Sequence, residues 1–379
     1  QAIKDVEVSG SVVYRYDNFY NDADTLDGRS ADAGKNNYKI GLNLASKVND
    51  YVKFNSRFIV GNSYNAGFAT LDSKKGEQDG QADVTLSNAY FGLTAIPNTV
   101  VNIGKQGLAT PYTVATHIDG NEQTGTGILA LTTVGAVTAG LGYFNATNLF
   151  DSGDGNNKIV DDNNKTNWGT KHNIDKGSDV YVATLQGDLD LVKLEAWYLG
   201  LQNTFTSYTL AATSKLDLAK DAIINLEARY VDLEFDKKLA QGDEAENSMF
   251  RFAADGKFNI VNARLAYTKT GKHGGLTATD KDAKNTSLAW NATSIGYANA
   301  DFYQASLGAD ILDNLNFTMH YGNLTSEKAE TLGFLNRDDK KIEEVYGQLT
   351  YKMSKNLNTY VRYGNITEET DSTGVESKD

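Results

Sequence analysis

Hydrophobic alternation with a period of two, sustained over about a dozen residues and repeated along the chain, is the feature that most limits this fold. In the first such segment Val6, Val8, Gly10, Val12, Tyr14 and Tyr16 fall on one face, and Glu7, Ser9, Ser11, Arg15 and Asp17 on the other. Only an extended strand sends successive side chains to opposite faces, and this run is about twice the usual five or six residues of a strand. A tilted strand needs about 9–11 residues to cross the hydrocarbon layer of a bilayer. The pattern returns with Tyr38, Ile40, Leu42 and Leu44 against Lys39, Gly41 and Asn43. After a tight turn at Val48–Tyr51 it returns again, with Val52, Phe54, Phe58 and Val60 against Lys53, Asn55 and Arg57.

The connections have their own rhythm. Short turns fall near Pro97-Asn98, Val134-Gly135, Asp188–Asp190, Leu216–Asp221, Gly256–Asn259, Asp313-Asn314 and Ser354–Asn356. Long polar connections fall near 146–178, 235–247, 269–301 and 325–340, with one brief exception at Gln202–Ser207. Several strands rise from a tight turn and end in tyrosine beside a long loop: Tyr143, Tyr230, Tyr267, Tyr321 and Tyr363. Short turns at one end, long loops at the other and an aromatic girdle at the loop end describe a transmembrane antiparallel β-barrel with periplasmic turns and outer loops. A soluble sandwich would rarely sustain such strands with tyrosine at one end only, and a solenoid would show a fixed repeat.

We therefore expect one all-β domain over residues 1–379. About seventeen strands are visible before Asn365. Bacterial single-chain barrels have an even number of strands, so an eighteenth, missing at the end of the chain, is expected to close the wall. A removed signal peptide is expected to have directed export. The mean hydropathy of −0.44 is no objection, because a barrel strand is apolar only at alternate positions. Tyr 21, Gly 35 and Pro 2, as counts, agree with strands that have no sheltered edge for proline. The chain has no cysteine, so disulfides and thiolate metal sites are excluded. A net charge of −13 excludes nucleic acid as a partner and favours cations.

The alternation also sorts the charges. Basic Arg15, Lys39, Lys53, Arg57, Arg229, Arg251, Arg264 and Arg362 and acidic Glu7, Asp17, Glu195, Glu227, Asp255 and Glu344 share faces with polar residues. Facing lipid, Arg or Lys at the midplane would cost ~2–4 kcal/mol, so these side chains must face a watery lumen. Arg15, Lys39, Lys53 and Arg57 cluster on the first three strands. The connection 109–126 is less charged than its neighbours and carries Asp119 and Glu122 in its second half. Folded inward, it would set carboxylates against a basic wall and make a constriction with a transverse field. The bland alternatives are that these charges pair within a polar lumen and that Asp119 caps the Asp119-Gly120 turn.

Catalysis finds no support. His117, His172, His273 and His320 are scattered, and there is no nucleophile elbow, zinc motif or phosphate loop. The Asp151, Asp154, Asp161 and Asp162 cluster has the composition of a calcium site without the EF-hand spacing.

Ala2–Gly10, Tyr14–Asp17, Gly104–Gln106, Ile118–Gly120 and Gly125–Gly127 together resemble the Campylobacter-type major outer-membrane porin of epsilonproteobacteria. The likeness is carried by roughly the first 145 residues. It implies an eighteen-stranded barrel, a homotrimer, a constriction loop, weak cation preference and calcium near the constriction, for which Asp119 is the matching position. Asp151 and Asp154 are the further candidate ligands. Family members usually finish on a strand with a terminal aromatic, and this chain does not. The expected function is that of a general diffusion porin in the outer membrane, passing ions and small hydrophilic solutes and touching lipid and lipopolysaccharide, with no required cofactor. A substrate-specific channel would instead show saturable uptake and an aromatic or arginine track. An adhesin-like or structural barrel would be plugged.

Overall fold

A computed structural model describes residues 5–19, 34–62, 67–71, 83–149, 152, 160–161, 166–167, 179–238, 242–327 and 339–371. Alternation has become sheet throughout. The long strands are β1 (Glu7–Asp17), β2 (Lys35–Lys47), β3 (Val52–Gly61), β5 (Asp83–Leu93), β6 (Thr99–Gly107), β7 (Thr124–Val134) and β8 (Val137–Thr147). They continue with β11 (Val180–Leu189), β12 (Val192–Leu201), β13 (Phe205–Ala219), β14 (Ala222–Phe235), β15 (Glu246–Phe258), β16 (Val261–Thr270), β17 (Ala300–Leu312), β18 (Leu315–Ser326), β19 (Asp339–Ser354) and β20 (Leu357–Asp371). Between them lie two-residue strands: β4 (Ala69–Thr70), and β9 (Val160–Asp161) paired with β10 (Thr166–Asn167). One short 3-10 turn, Gly242–Ala245, precedes β15.

Each long strand pairs antiparallel with the next long strand in the chain, and the sheet has eighteen members. Seventeen are the long strands read from the sequence; the other is β4, which docks on β2 through Asn37 and Tyr38 and which the alternation did not reveal. Among the described residues β1 pairs only with β2 and β20 only with β19. The meander curls until these ends approach, with the Arg15 guanidinium 5.9 Å from the Tyr360 ring centre.

Turn chemistry fixes the hairpins. Asn98, Asp190 and Asn259 adopt left-handed backbone at φ 58°, 58° and 53°, as tight hairpin turns require and as short amide and carboxylate side chains tolerate. The outward faces are apolar, with Val12 75%, Leu141 69%, Leu265 66% and Val361 69% exposed. In water such a surface would be a liability; in lipid it is the solvent contact.

The inward face is not uniformly wet. On the β8–β15 side its outer half forms an apolar core of Phe144, Val182, Leu199, Phe205, Val231, Leu233, Phe235 and Met249. Leu108 and Tyr112 from the β6–β7 loop, and Leu276, Ala278, Ala283 and Ile295 from the β16–β17 loop, complete it. The sequence reading placed 269–301 among outer polar connections, and this is corrected: residues 275–280 and 292–298 are all buried.

Candidate functional site

The wall near β5 and β6 is built to admit a loop. β5 pairs with β6 only from Ala89 to Leu93, whereas β6 continues to Gly107 against β7. Gly104, at φ 129°, sits where this separation begins; a Cβ there would fall 2.5 Å from the Ala89 carbonyl oxygen. Lys105 Nζ spans the opening by donating to the Leu86 carbonyl at 2.7 Å. On the β3 side the register slips between Arg57 and Phe58, leaving Ser87 as the extra residue of a bulge. A bulge re-aims a side chain, and Ser87 Oγ donates to Glu122 at 2.8 Å.

Glu122 is the anchor of the β6–β7 loop, residues 108–123. Arg57 Nε and Nη2 donate to its two oxygens at 2.9 and 2.7 Å, and Lys39 Nζ to Oε1 at 3.3 Å. Lys39 also donates to the His117 and Gly120 carbonyls at 2.7 and 3.1 Å. All three side chains are buried. Burial by itself pushes the Glu122 carboxyl up, but Arg57, Lys39 and Ser87 hold it below its ordinary value.

Asp119 sits higher and is more open. Arg15 Nη1 donates to Oδ2 at 2.5 Å, and Nδ1 of the partly buried His117 lies 2.9 Å from Oδ1. The other face of His117 meets the β16–β17 loop: Nε2 is 3.1 Å from Asp282 and 3.9 Å from Asp280. Nδ1 is also 2.8 Å from the Gly120 amide, and it cannot accept that proton while donating to Asp119. Three surrounding carboxylates favour the charged ring. Burial alone would lower the His117 pKa, but bonds and charges from Asp119, Asp282 and Asp280 raise it to about 10. Burial likewise pushes Asp119 up, and His117 and Arg15 overrule it, holding the carboxyl well below its usual range.

The sequence-predicted residues therefore divide. Arg15, Lys39, Arg57, Asp119 and Glu122 come together. Lys53 stands apart near the periplasmic turn, half-exposed and paired with Glu7 at 2.7 Å. Face is read from parity, but height on the wall is not, and Lys53 lies only one residue into β3. Within the expected segment 109–126, Thr124, Gly125 and Thr126 are already β7.

The β16–β17 loop crosses from the other side. Thr279 donates through its amide and Oγ1 to the Tyr112 carbonyl, both at 2.9 Å, and the Asn285 amide donates to Pro111 at 2.9 Å. Arg251 donates to the Thr286 and Lys284 carbonyls at 2.5 and 2.8 Å, and Arg229 to Asn285 Oδ1 at 3.2 Å. Glu344 of β19 accepts the Trp290, Asn291 and Ala292 amides at 3.0 Å each. A continuous chain of bonds thus runs from β3 through both loops to β14, β15 and β19. Sequence reading missed this second loop, although the signal used for 109–126 was present: residues 285–299 carry no charge.

At Asp119 the carboxylate is engaged by Arg15 and His117, so a calcium ion, which takes six to eight oxygen ligands, would have to share or displace them. His117, Asp280 and Asp282 also converge, but around an imidazole that supplies its own positive charge. Asp151 and Asp154 lie outside the described residues.

The sequence profile of the Campylobacter major outer membrane protein family matches residues 1–379. The chain belongs to that family. Curated protein sequences give no match. Solved structures share the architecture at low identity. A BenF-like porin from Pseudomonas fluorescens Pf-5 is 13% identical with TM-score 0.74, covering 98% of this chain and 96% of that one. Pseudomonas aeruginosa OccK2 (OpdF), in complex with glucuronate, is 13% identical with TM-score 0.70, covering 98% and 95%. Acinetobacter baumannii OccAB3 is 13% identical with TM-score 0.71, covering 96% and 93%. As a member of the Campylobacter family, the chain is an outer-membrane porin that crosses the bilayer with β-strands. Porins are not enzymes.

Proposed function

We propose that this porin is a general diffusion pore with weak cation preference, narrowed by the 108–123 and 271–299 loops acting together. The observation that carries the reading is the pair of cross-linked loops lying against inward-facing Arg15, Lys39, Arg57, Arg229, Arg251 and Glu344. Water and small ions pass through what the loops leave open, and apolar solutes are disfavoured by the dense polar lining. Three points support modest cation preference: the overall charge of −13, the half-open Asp119 and Asp282 at the loop junction, and wall cations mostly answered by carboxylates. A homotrimer in contact with outer-membrane lipid and lipopolysaccharide belongs to the same proposal, supported by the family and by the broad apolar exterior.

Single-channel recording across a potassium chloride gradient tests it. The expected reversal potential is small, of cation sign, and smaller at high salt, where screening shortens to ~3 Å at 1 M. Anion preference at low salt would overturn the selectivity, and a closed lumen would overturn the pore.

A further inference from the structure

Inward-facing cations of this barrel are generally met by a carboxylate: Arg57 and Lys39 by Glu122, Arg15 by Asp119, Arg229 and Arg251 by Glu227, Arg264 by Asp255. Arg362 of β20 differs. Its Nε and Nη2 donate to Gln348 Oε1 at 2.9 and 2.6 Å, a neutral acceptor directly across the ladder. Among the described residues no carboxylate pairs with it, and Nη1 has no partner.

The guanidinium is surrounded by aromatic rings instead. Ring centres of Trp290, Tyr346 and Tyr360 lie 5.0, 5.1 and 5.5 Å from its central carbon. His320 stacks on Tyr346 at 4.4 Å with 10° between planes, and Glu344 holds the backbone of Trp290. Tyr346 is buried, whereas Arg362 is only half-buried and reachable from the lumen. Rings stabilise the cation, yet they satisfy none of its N–H donors. A planar fork with a free edge matches a carboxylate, which takes two parallel N–H bonds.

We propose that Arg362, caged by Trp290, Tyr346 and Tyr360, is a binding site for the carboxylate of small organic acids moving along the β18–β20 wall. The inference rests on the open-pore reading and adds a solute class to it. A bound acid donates no proton and forms no covalent bond; it exchanges water at the Nη1 edge for two charge-assisted hydrogen bonds and leaves again.

The experiment is single-channel recording of the full chain in potassium chloride with added potassium lactate, and with glycerol as an uncharged three-carbon control. Lactate should reduce the current with saturation, and glycerol should act only in proportion to its concentration. Arg362→Gln should remove the saturable component, read relative to that variant's own current in potassium chloride alone. Arg362→Lys, which keeps charge but loses the fork, should weaken it about tenfold. Gln348→Glu keeps the cage and supplies an internal carboxylate, so it should abolish lactate block as well. Saturable block that survives Arg362→Gln and Gln348→Glu unchanged would overturn the assignment, as would its absence in the unmodified protein. In that last case intact conductance would leave the pore standing, whereas absent conductance would remove both readings.

Discussion

Arg57 grips Glu122 with two parallel hydrogen bonds, and the same carboxylate also takes Lys39 and Ser87, so one buried side chain is shared by two buried cations. Removing one partner of such a group leaves uncompensated charge, which costs about 3–5 kcal/mol.

Glu122→Gln should therefore loosen the 108–123 loop from the wall. Open-channel current noise should rise and thermal melting should fall by several degrees. Quiet current with unchanged melting would mean that the loop is held by its apolar residues Leu108 and Tyr112 alone.

His117 gives the loop junction a pH dependence of definite sign. Its pKa rises from 6.5 to about 10 on folding, so the charged ring's contribution is complete below about pH 6.5. That contribution is lost progressively as pH rises toward 10. His117→Gln should flatten this slope in melting measured between pH 6 and 10, with the largest difference at the acid end. Parallel curves for the two proteins would contradict a charged cross-link.

Chelation should leave the junction intact. Because Arg15 and His117 already engage both oxygens of Asp119, adding EDTA is expected to change neither melting nor reversal potential. A clear fall in melting temperature on chelation, restored by calcium, would show that these carboxylates turn toward an ion in solution.

Glu344→Gln removes the charge that organises three successive loop amides. Charge-assisted bonds of this kind contribute about 1.5–3 kcal/mol. The tip of the 271–299 loop around Trp290 should become accessible, seen as increased tryptophan quenching by acrylamide. Unaltered quenching would place the anchor elsewhere, at Arg251 and Arg229.

Strand number, inward and outward faces and the meeting of Arg15, Lys39 and Arg57 with a carboxylate loop were legible, because parity alone assigns a side chain to lipid or lumen. Lys53 was misplaced for the complementary reason: parity carries no height, and the cue lay in its distance from the turn. The 271–299 loop was hidden by its chemistry. Thr277, Thr279, Asn285, Thr286, Ser287, Thr293 and Ser294 are all buried, yet threonine, serine and asparagine also make up solvated loops. Burial here comes from hydrogen bonds to residues more than a hundred positions away, such as Thr279 to Tyr112, which no local pattern reports. His117 is similar, since its partners Asp280 and Asp282 arrive from the far side of the sequence.

The bonded path from Arg57 through Glu122, Gln123, Thr279 and Asn285 to Arg229 makes the two loops a strut across the cylinder. A ring of hydrogen-bonded strands resists stretching far better than it resists being squeezed into an ellipse. Bilayer lateral pressure acts in that soft direction. With a brace fixed to β3 at one side and to β14, β15 and β19 at the other, flattening must break buried hydrogen bonds of that path before it narrows the lumen. The open area is thereby insulated from the tension and composition of the surrounding membrane.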